Sequence, residues 1–131
     1  MPRPRMETPT PGELEILKIL WDRGPSSVRE VMEVLNSRRR RAYTSVMSLL
    51  NVMTDKGLLA RQPAGRAFLY RARVPREQTL GRLLDDLLGR AFEGSAASLV
   101  AHLLDQSDPS ESEFRAIQET IDRYLQRQEE V

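Results

Sequence analysis

The side chains with chemistry to offer are concentrated in one stretch, Arg38 to Leu59, which reads RRRRAYTSVMSLLNVMTDKGLL. Four consecutive arginines, Arg38, Arg39, Arg40 and Arg41, lead into a segment where Val46, Leu49, Leu50 and Met53 recur at i, i+3, i+4 and i+7, the spacing of a buried helix stripe. At 100° per residue the opposite side carries Thr44, Ser48, Asn51 and Asp55, with Ser45, Met47 and Val52 on the flanks. Guanidinium groups bond phosphate oxygens, and the amides at a helix N-terminus favour the same anions. Asn pairs bidentately with adenine, Ser and Thr bond to either base type, and apolar groups touch a thymine methyl. A basic lead-in followed by an uncharged polar face therefore has the character of a helix that reads double-stranded DNA. The helix has no Arg or Lys before Lys56, so the expected readout is biased to A·T pairs, with Arg41 the candidate for guanine.

Other chemistries lack their residues. There is no cysteine, which excludes disulfides, thiolate metal sites and thiol catalysis. His102 is the single histidine and has no partners at triad or zinc spacing, so it is expected on a helix surface or interface. Gly12, Gly24 and Gly57 punctuate helices and form no phosphate loop, and the acidic pairs Asp85-Asp86 and Glu129-Glu130 diverge on a helix. No enzyme, metal or cofactor is expected.

The elements that must position the basic stretch are marked by local signals. Residues 1–9 hold three prolines and are expected to form a flexible arm. Thr10-Pro11-Gly12-Glu13 has an N-cap, a proline at N1 and a capping-box Glu, and opens an apolar helix that Gly24-Pro25 breaks. Its last apolar residue, Trp21, is expected in the core. Ser27 and Glu30 form a second capping box for a helix ending near Asn36, and residues 37–41 form the basic connection. The third helix is expected from about Ala42 to Lys56, with Gly57 as its left-handed cap. The period then changes to 2: Leu58–Gln62 and Ala67–Arg71 are expected strands, joined by the turn Pro63-Ala64-Gly65-Arg66. Three helices and a hairpin make a winged helix-turn-helix over 10–74, and Arg61, Arg66 and Arg71 put cations for the DNA backbone on the wing.

Charge divides the chain in two. Residues 1–76 hold 15 Lys and Arg against 7 Asp and Glu, a net +8, whereas residues 77–131 hold 5 against 12, a net −7. The basic half has the footprint of phosphate contact. The acidic half, 75–131, carries a wide leucine stripe of Leu80, Leu83, Leu84, Leu87, Leu88 and Phe92. Two shorter apolar sets follow, with Leu99 and Leu103, then Ile117, Ile121 and Tyr124, on helices opened by Ser95 and by a Ser110/Glu113 capping box. Some 55 residues in three helices close a core poorly alone. A second copy would complete it, and it would also hold two reading heads at fixed spacing. The expected fold is mainly α, with a three-helix C-terminal dimerisation region. With no secretory signal and no apolar run near a membrane span, a cytoplasmic protein with no membrane partner is expected.

The runs TPGELEILKILWDRGPSSVREVMEVL, AYTSVMSLLNVMTDKGLL and GRAFLYRA resemble the penicillinase-repressor (BlaI/MecI-type) transcriptional regulators over residues 8–127. The resemblance implies a homodimeric repressor on a dyad operator with TACA/TGTA-like halves, at promoters of resistance or stress genes. It gives the reading role to the first turns of the third helix, Tyr43, Thr44, Ser45, Met47 and Ser48, with Asn51 beyond them. Many relatives carry Arg where Val52 stands. The best-known members are inactivated by cleavage of an Asn-Phe bond in a Ser-Leu-Val context. Ser98-Leu99-Val100 is present, and the matching pair is His102-Leu103, so a sensor protease or another inducer is an implied partner. Without cysteine, the copper site of other relatives is excluded. Two alternatives stay open: a nucleic-acid-binding or architectural module of low specificity, and a winged-helix protein–protein adaptor.

Overall fold

The computed structural model describes residues 8–130, so the expected arm falls largely outside the described residues. The chain divides into two compact units, residues 1–85 and 86–131. The division falls inside a helix, ten residues beyond the start of the expected acidic half.

The first unit begins with α1, Pro11–Arg23. The Thr10 hydroxyl accepts from Glu13 N at 3.2 Å and the Glu13 carboxylate accepts from Thr10 N at 2.9 Å, a complete capping box. Gly24 follows at φ 81°, a conformation that costs a residue with a Cβ, and its N–H closes the helix on Leu20 O. The second helix, α2 (Val28–Arg38), opens on the reciprocal Ser27/Glu30 box. It runs two residues past the expected end, so Arg38 belongs to its last turn, where a cation meets the negative end of the helix dipole. The third, α3 (Tyr43–Asp55), starts behind Ala42 and ends before Gly57 at φ 84°.

The wing is β1 (Leu59–Ala64) paired antiparallel with β2 (Ala67–Ala72), in register from Leu59↔Ala72 to Ala64↔Ala67. Pro63 and Ala64 lie in the strand, not in the turn where the sequence places them. The hairpin closes over Gly65 and Arg66 alone, and Gly65 at φ 65° supplies the left-handed position that a two-residue turn needs. An element absent from the sequence reading completes the sheet. Ser26 and Tyr70 exchange both main-chain bonds, at 3.0 and 2.8 Å, which docks β2 onto the link between α1 and α2.

The core of this unit takes Ile16, Leu17 and Leu20 from α1, Val31 and Leu35 from α2, and Val46, Leu50 and Met53 from α3. Leu58, Leu59, Tyr70 and Val74 close it from the wing side. Each such side chain contributes roughly 1.5–3 kcal/mol by leaving water. Trp21 is half-buried at the edge of this cluster, and its Nε1–H donates to Val74 O at 2.9 Å. That bond ties the end of α1 to the segment that leads into α4, Arg76–Ala91. Buried Thr79 belongs to the first unit and bonds back to Pro75 O at 3.2 Å.

In the second unit Gly94, at φ 82°, follows the end of α4, and α5 (Ala96–Ser107) and α6 (Glu111–Glu129) complete it. Ser95 and Ser110 cap them by accepting from Ser98 N and Glu113 N. Only this half of the expected Ser110/Glu113 box forms: the Ser110 hydroxyl lies 3.2 Å from that of Ser112, and Glu113 does not return to the cap. Neither α5 nor α6 has a buried residue. Among the described residues, no helix is long and apolar enough to cross a membrane.

Candidate nucleic-acid interface

The helical pattern of the third helix is realised residue by residue. Val46, Leu50 and Met53 are buried, and Leu49 packs against them from the rim. Thr44, Ser45, Ser48, Asn51 and Asp55 are exposed, Tyr43 is 56 % exposed, Val52 is exposed and Met47 half-buried. The outer face is thus a row of short polar groups with no internal cation. Its N-terminus lacks a side-chain cap, in contrast to α1, α2, α5 and α6, which leaves early amides of α3 without that partner.

The four arginines of the lead-in separate into two kinds. Arg38, Arg39 and Arg40 are exposed and make no ion pair among the described residues. Arg41 is different. Its Nη2 bonds both oxygens of Glu15 at 2.9 and 2.7 Å, Nη1 donates to Leu35 O at 3.4 Å, and its main-chain N–H donates to Asn36 Oδ1 at 2.9 Å. On the wing, the register puts Arg61 opposite Tyr70 and Arg71 opposite Ala60, so these two cations occupy opposite faces of the ribbon. Arg66 sits at its tip. The Arg61 guanidinium lies 4.8 Å over the ring of exposed Phe68, an arrangement that limits where its charge can go.

At the far end of α3, the Lys56 ammonium bonds Glu13 at 3.0 Å. Glu13 is 2 % exposed. Burial alone would raise its carboxyl pKa, but the Thr10 amide, the Lys56 ammonium and the Thr10 hydroxyl outweigh it and hold the group below its ordinary value. Sequence reading gave Glu13 only the role of a cap and missed Glu15 altogether. The available signal was two carboxylates in the first turns of a largely apolar helix, and nothing local names partners 26 and 43 residues away.

Of the residues assigned to dimerisation, Leu80, Leu84, Leu87, Leu103, Ile121 and Tyr124 are exposed, whereas Leu83, Leu88, Phe92, Leu99 and Ile117 are half-buried. His102 is exposed on α5; its Nδ1 donates to Ser98 O at 2.9 Å and its ring meets Phe92 edge-on at 5.2 Å. The His102–Leu103 bond lies inside that helix.

Three helices, a two-stranded wing docked on Ser26, and a polar face without cations on the third helix define a winged helix-turn-helix protein. The sequence model of the penicillinase repressor matches residues 9–123, and the chain belongs to that family. It is 32 % identical over 114 residues to the transcriptional regulator BlaI of Mycobacterium tuberculosis, covering 82 % of this chain and 83 % of that one. It is 22 % identical to the penicillinase repressor of Bacillus licheniformis, over 91 % of this chain and 93 % of that one. A MarR family protein from Bacillus stearothermophilus superposes on 92 % of this chain and 77 % of its own, with 17 % identity and a TM-score of 0.48.

Proposed function

We propose that the protein is a homodimeric transcriptional repressor that occupies a dyad operator with TACA/TGTA-like halves, at promoters of resistance or stress genes. The observation that carries this is the outer face of α3, where Thr44, Ser45, Ser48 and Asn51 stand exposed and uncharged beside the unpaired Arg38, Arg39 and Arg40. The side chains specify and the arginines anchor: base-edge bonds carry the sequence information, and phosphate contacts carry most of the affinity. At the wing tip Arg66 extends the anchoring, with Arg61 and Arg71 supplying cations on the two faces of the ribbon. The family membership and the likeness to a mycobacterial transcriptional regulator support the same reading.

Dimerisation accounts for the open faces of α4 and of the second unit. Leu84 and Leu87 are 51 % and 49 % exposed on α4, and Ile121, Tyr124 and Leu125 are as open on α6. An apolar face of this kind is covered by a partner in a soluble protein, and a second copy supplies equal faces under two-fold symmetry. Two linked heads gain affinity through effective concentration, so weakening the dimer releases DNA. Cleavage by a sensor protease within the acidic half is one route to that release. At His102–Leu103 it requires α5 to open first, because the bond lies within a continuous helix.

A footprint of the full-length protein on duplex DNA containing a TACA/TGTA dyad tests the reading. Two-fold symmetric protection is expected, with log affinity falling by about 0.9 per phosphate contact for each decade of salt. Uniform coating of the duplex favours a low-specificity nucleic-acid binder, and no binding at low salt favours a protein adaptor.

A further inference from the structure

We infer that Arg41 is a positioning residue rather than a DNA ligand, and that its pair with Glu15 sets the pitch at which α3 meets the groove; this rests on the DNA-binding reading above. Arg41 is the one arginine of the lead-in whose donors are already used. They go to both oxygens of Glu15 on α1, to Leu35 O on α2 and, through the main chain, to Asn36 Oδ1, and the side chain is left 18 % exposed. A guanidinium with Nη2 on a carboxylate and Nη1 on a main-chain carbonyl is held in place, whereas Arg38, Arg39 and Arg40 are free to follow a phosphate. Moving Arg41 onto DNA would also leave the Glu15 carboxylate facing a polyanion.

The second observation is at the other end of the helix. Lys56, just after α3, is bonded to Glu13 at 3.0 Å. Glu13 and Glu15 are two apart on α1 and so point about 200° from each other, toward opposite ends of α3. Beside Glu13 on α1, the side chain of Leu49 from the middle of α3 reaches Gly12, where a Cβ would stand in ordinary contact at 3.6 Å from Leu49 Cδ2. Leu49 lies between Arg41 and Lys56 along the chain, so the two ion pairs to α1 hold α3 on either side of it. Tilting α3 about Leu49 stretches one of them. Base-edge hydrogen bonds weaken steeply with such misalignment, while attraction between mobile arginines and phosphates tolerates it. Loss of the pair should therefore cost sequence discrimination and leave the number of phosphate contacts unchanged.

The test compares the full-length wild type with Arg41→Lys, Arg41→Gln, Glu15→Gln and the double Gln variant. Fluorescence anisotropy on a TACA/TGTA dyad duplex and on a scrambled duplex of equal composition, across a salt series, gives both the affinity ratio and the salt slope. Each single variant is expected to lower the dyad-to-scrambled ratio roughly tenfold, the scale of one lost base contact, with the slope unchanged. The double variant should be no worse than either single one. Arg41→Lys keeps the charge but cannot bond Glu15 and Leu35 O at once, as Nη2 and Nη1 do, so its loss of ratio is the decisive sign of positioning. The inference is overturned if Arg41→Gln flattens the slope by about 0.9 while the ratio holds, if Glu15→Gln tightens binding to both duplexes, or if Arg41→Lys behaves as wild type. A wild type that binds neither duplex overturns the DNA reading, and this inference with it.

Discussion

At the scale of single residues, charge is used in two ways around α3, and the two are separable by experiment. Asn51 and Ser48 present neutral groups to solvent, so Asn51→Ala is expected to weaken dyad binding by about 1–3 kcal/mol with no change in salt slope. Arg39→Gln should do the reverse, flattening the slope by about 0.9 and weakening all duplexes alike; competition titrations at several salt concentrations read both. Glu13 gives a prediction for the fold. Its carboxyl is held below its ordinary 4.5 in the folded chain. The ionised form is thus favoured by folding, and its contribution is present above the unfolded value and lost as pH falls through the folded one. Glu13→Gln removes charge-assisted bonds to Lys56 and Thr10 N, so it should cost about 1.5–3 kcal/mol at neutral pH. Urea melts should show the gap to wild type closing below about pH 4. A gap independent of pH would mean that Glu13 acts by shape and not by charge.

At the scale of elements, what was legible in the sequence was what is local. Thr10/Glu13 and Ser27/Glu30 fix where α1 and α2 begin within one turn, and the Val46, Leu50, Met53 stripe fixes the inward side of α3. Ser27→Ala is accordingly expected to cost about 1 kcal/mol by chemical denaturation, through α2 alone. The wing was legible in kind but not in detail. Pro63 looks like turn chemistry, yet the strand reaches Ala64, because Gly65 and Arg66 suffice to reverse it. The Ser26–Tyr70 bridge was invisible, since it pairs a strand with a loop 44 residues away and no periodicity marks a single pair. The site was half legible for the same reason. Exposure of Thr44, Ser48 and Asn51 follows from the helical period. The retention of Arg41 by Glu15 does not, because four identical residues in a row carry no sign of which one folds inward.

At the scale of the whole molecule, the two halves have opposite charge and opposite degrees of closure. The first unit buries a core of its own, while α5 and α6 have no fully buried residue and α4 leaves its leucines half in water. On the proposed reading, the first unit reads DNA and a second copy of the chain covers the apolar faces that the second leaves open. Leu87→Asp places a charge in the proposed seam without touching a DNA-facing residue, and it is expected to yield a monomer by sedimentation with an intact first unit. The most direct test of the account compares wild type and Leu87→Asp on a duplex bearing the full TACA/TGTA dyad and on one bearing a single half. Wild type should bind the dyad with two chains, and at least a hundredfold more tightly than the half-site, on the scale of gain that linkage provides. Leu87→Asp should bind both duplexes equally and weakly. A wild type that binds one half as tightly as two, or a monomeric Leu87→Asp with undiminished affinity for the dyad, would contradict it.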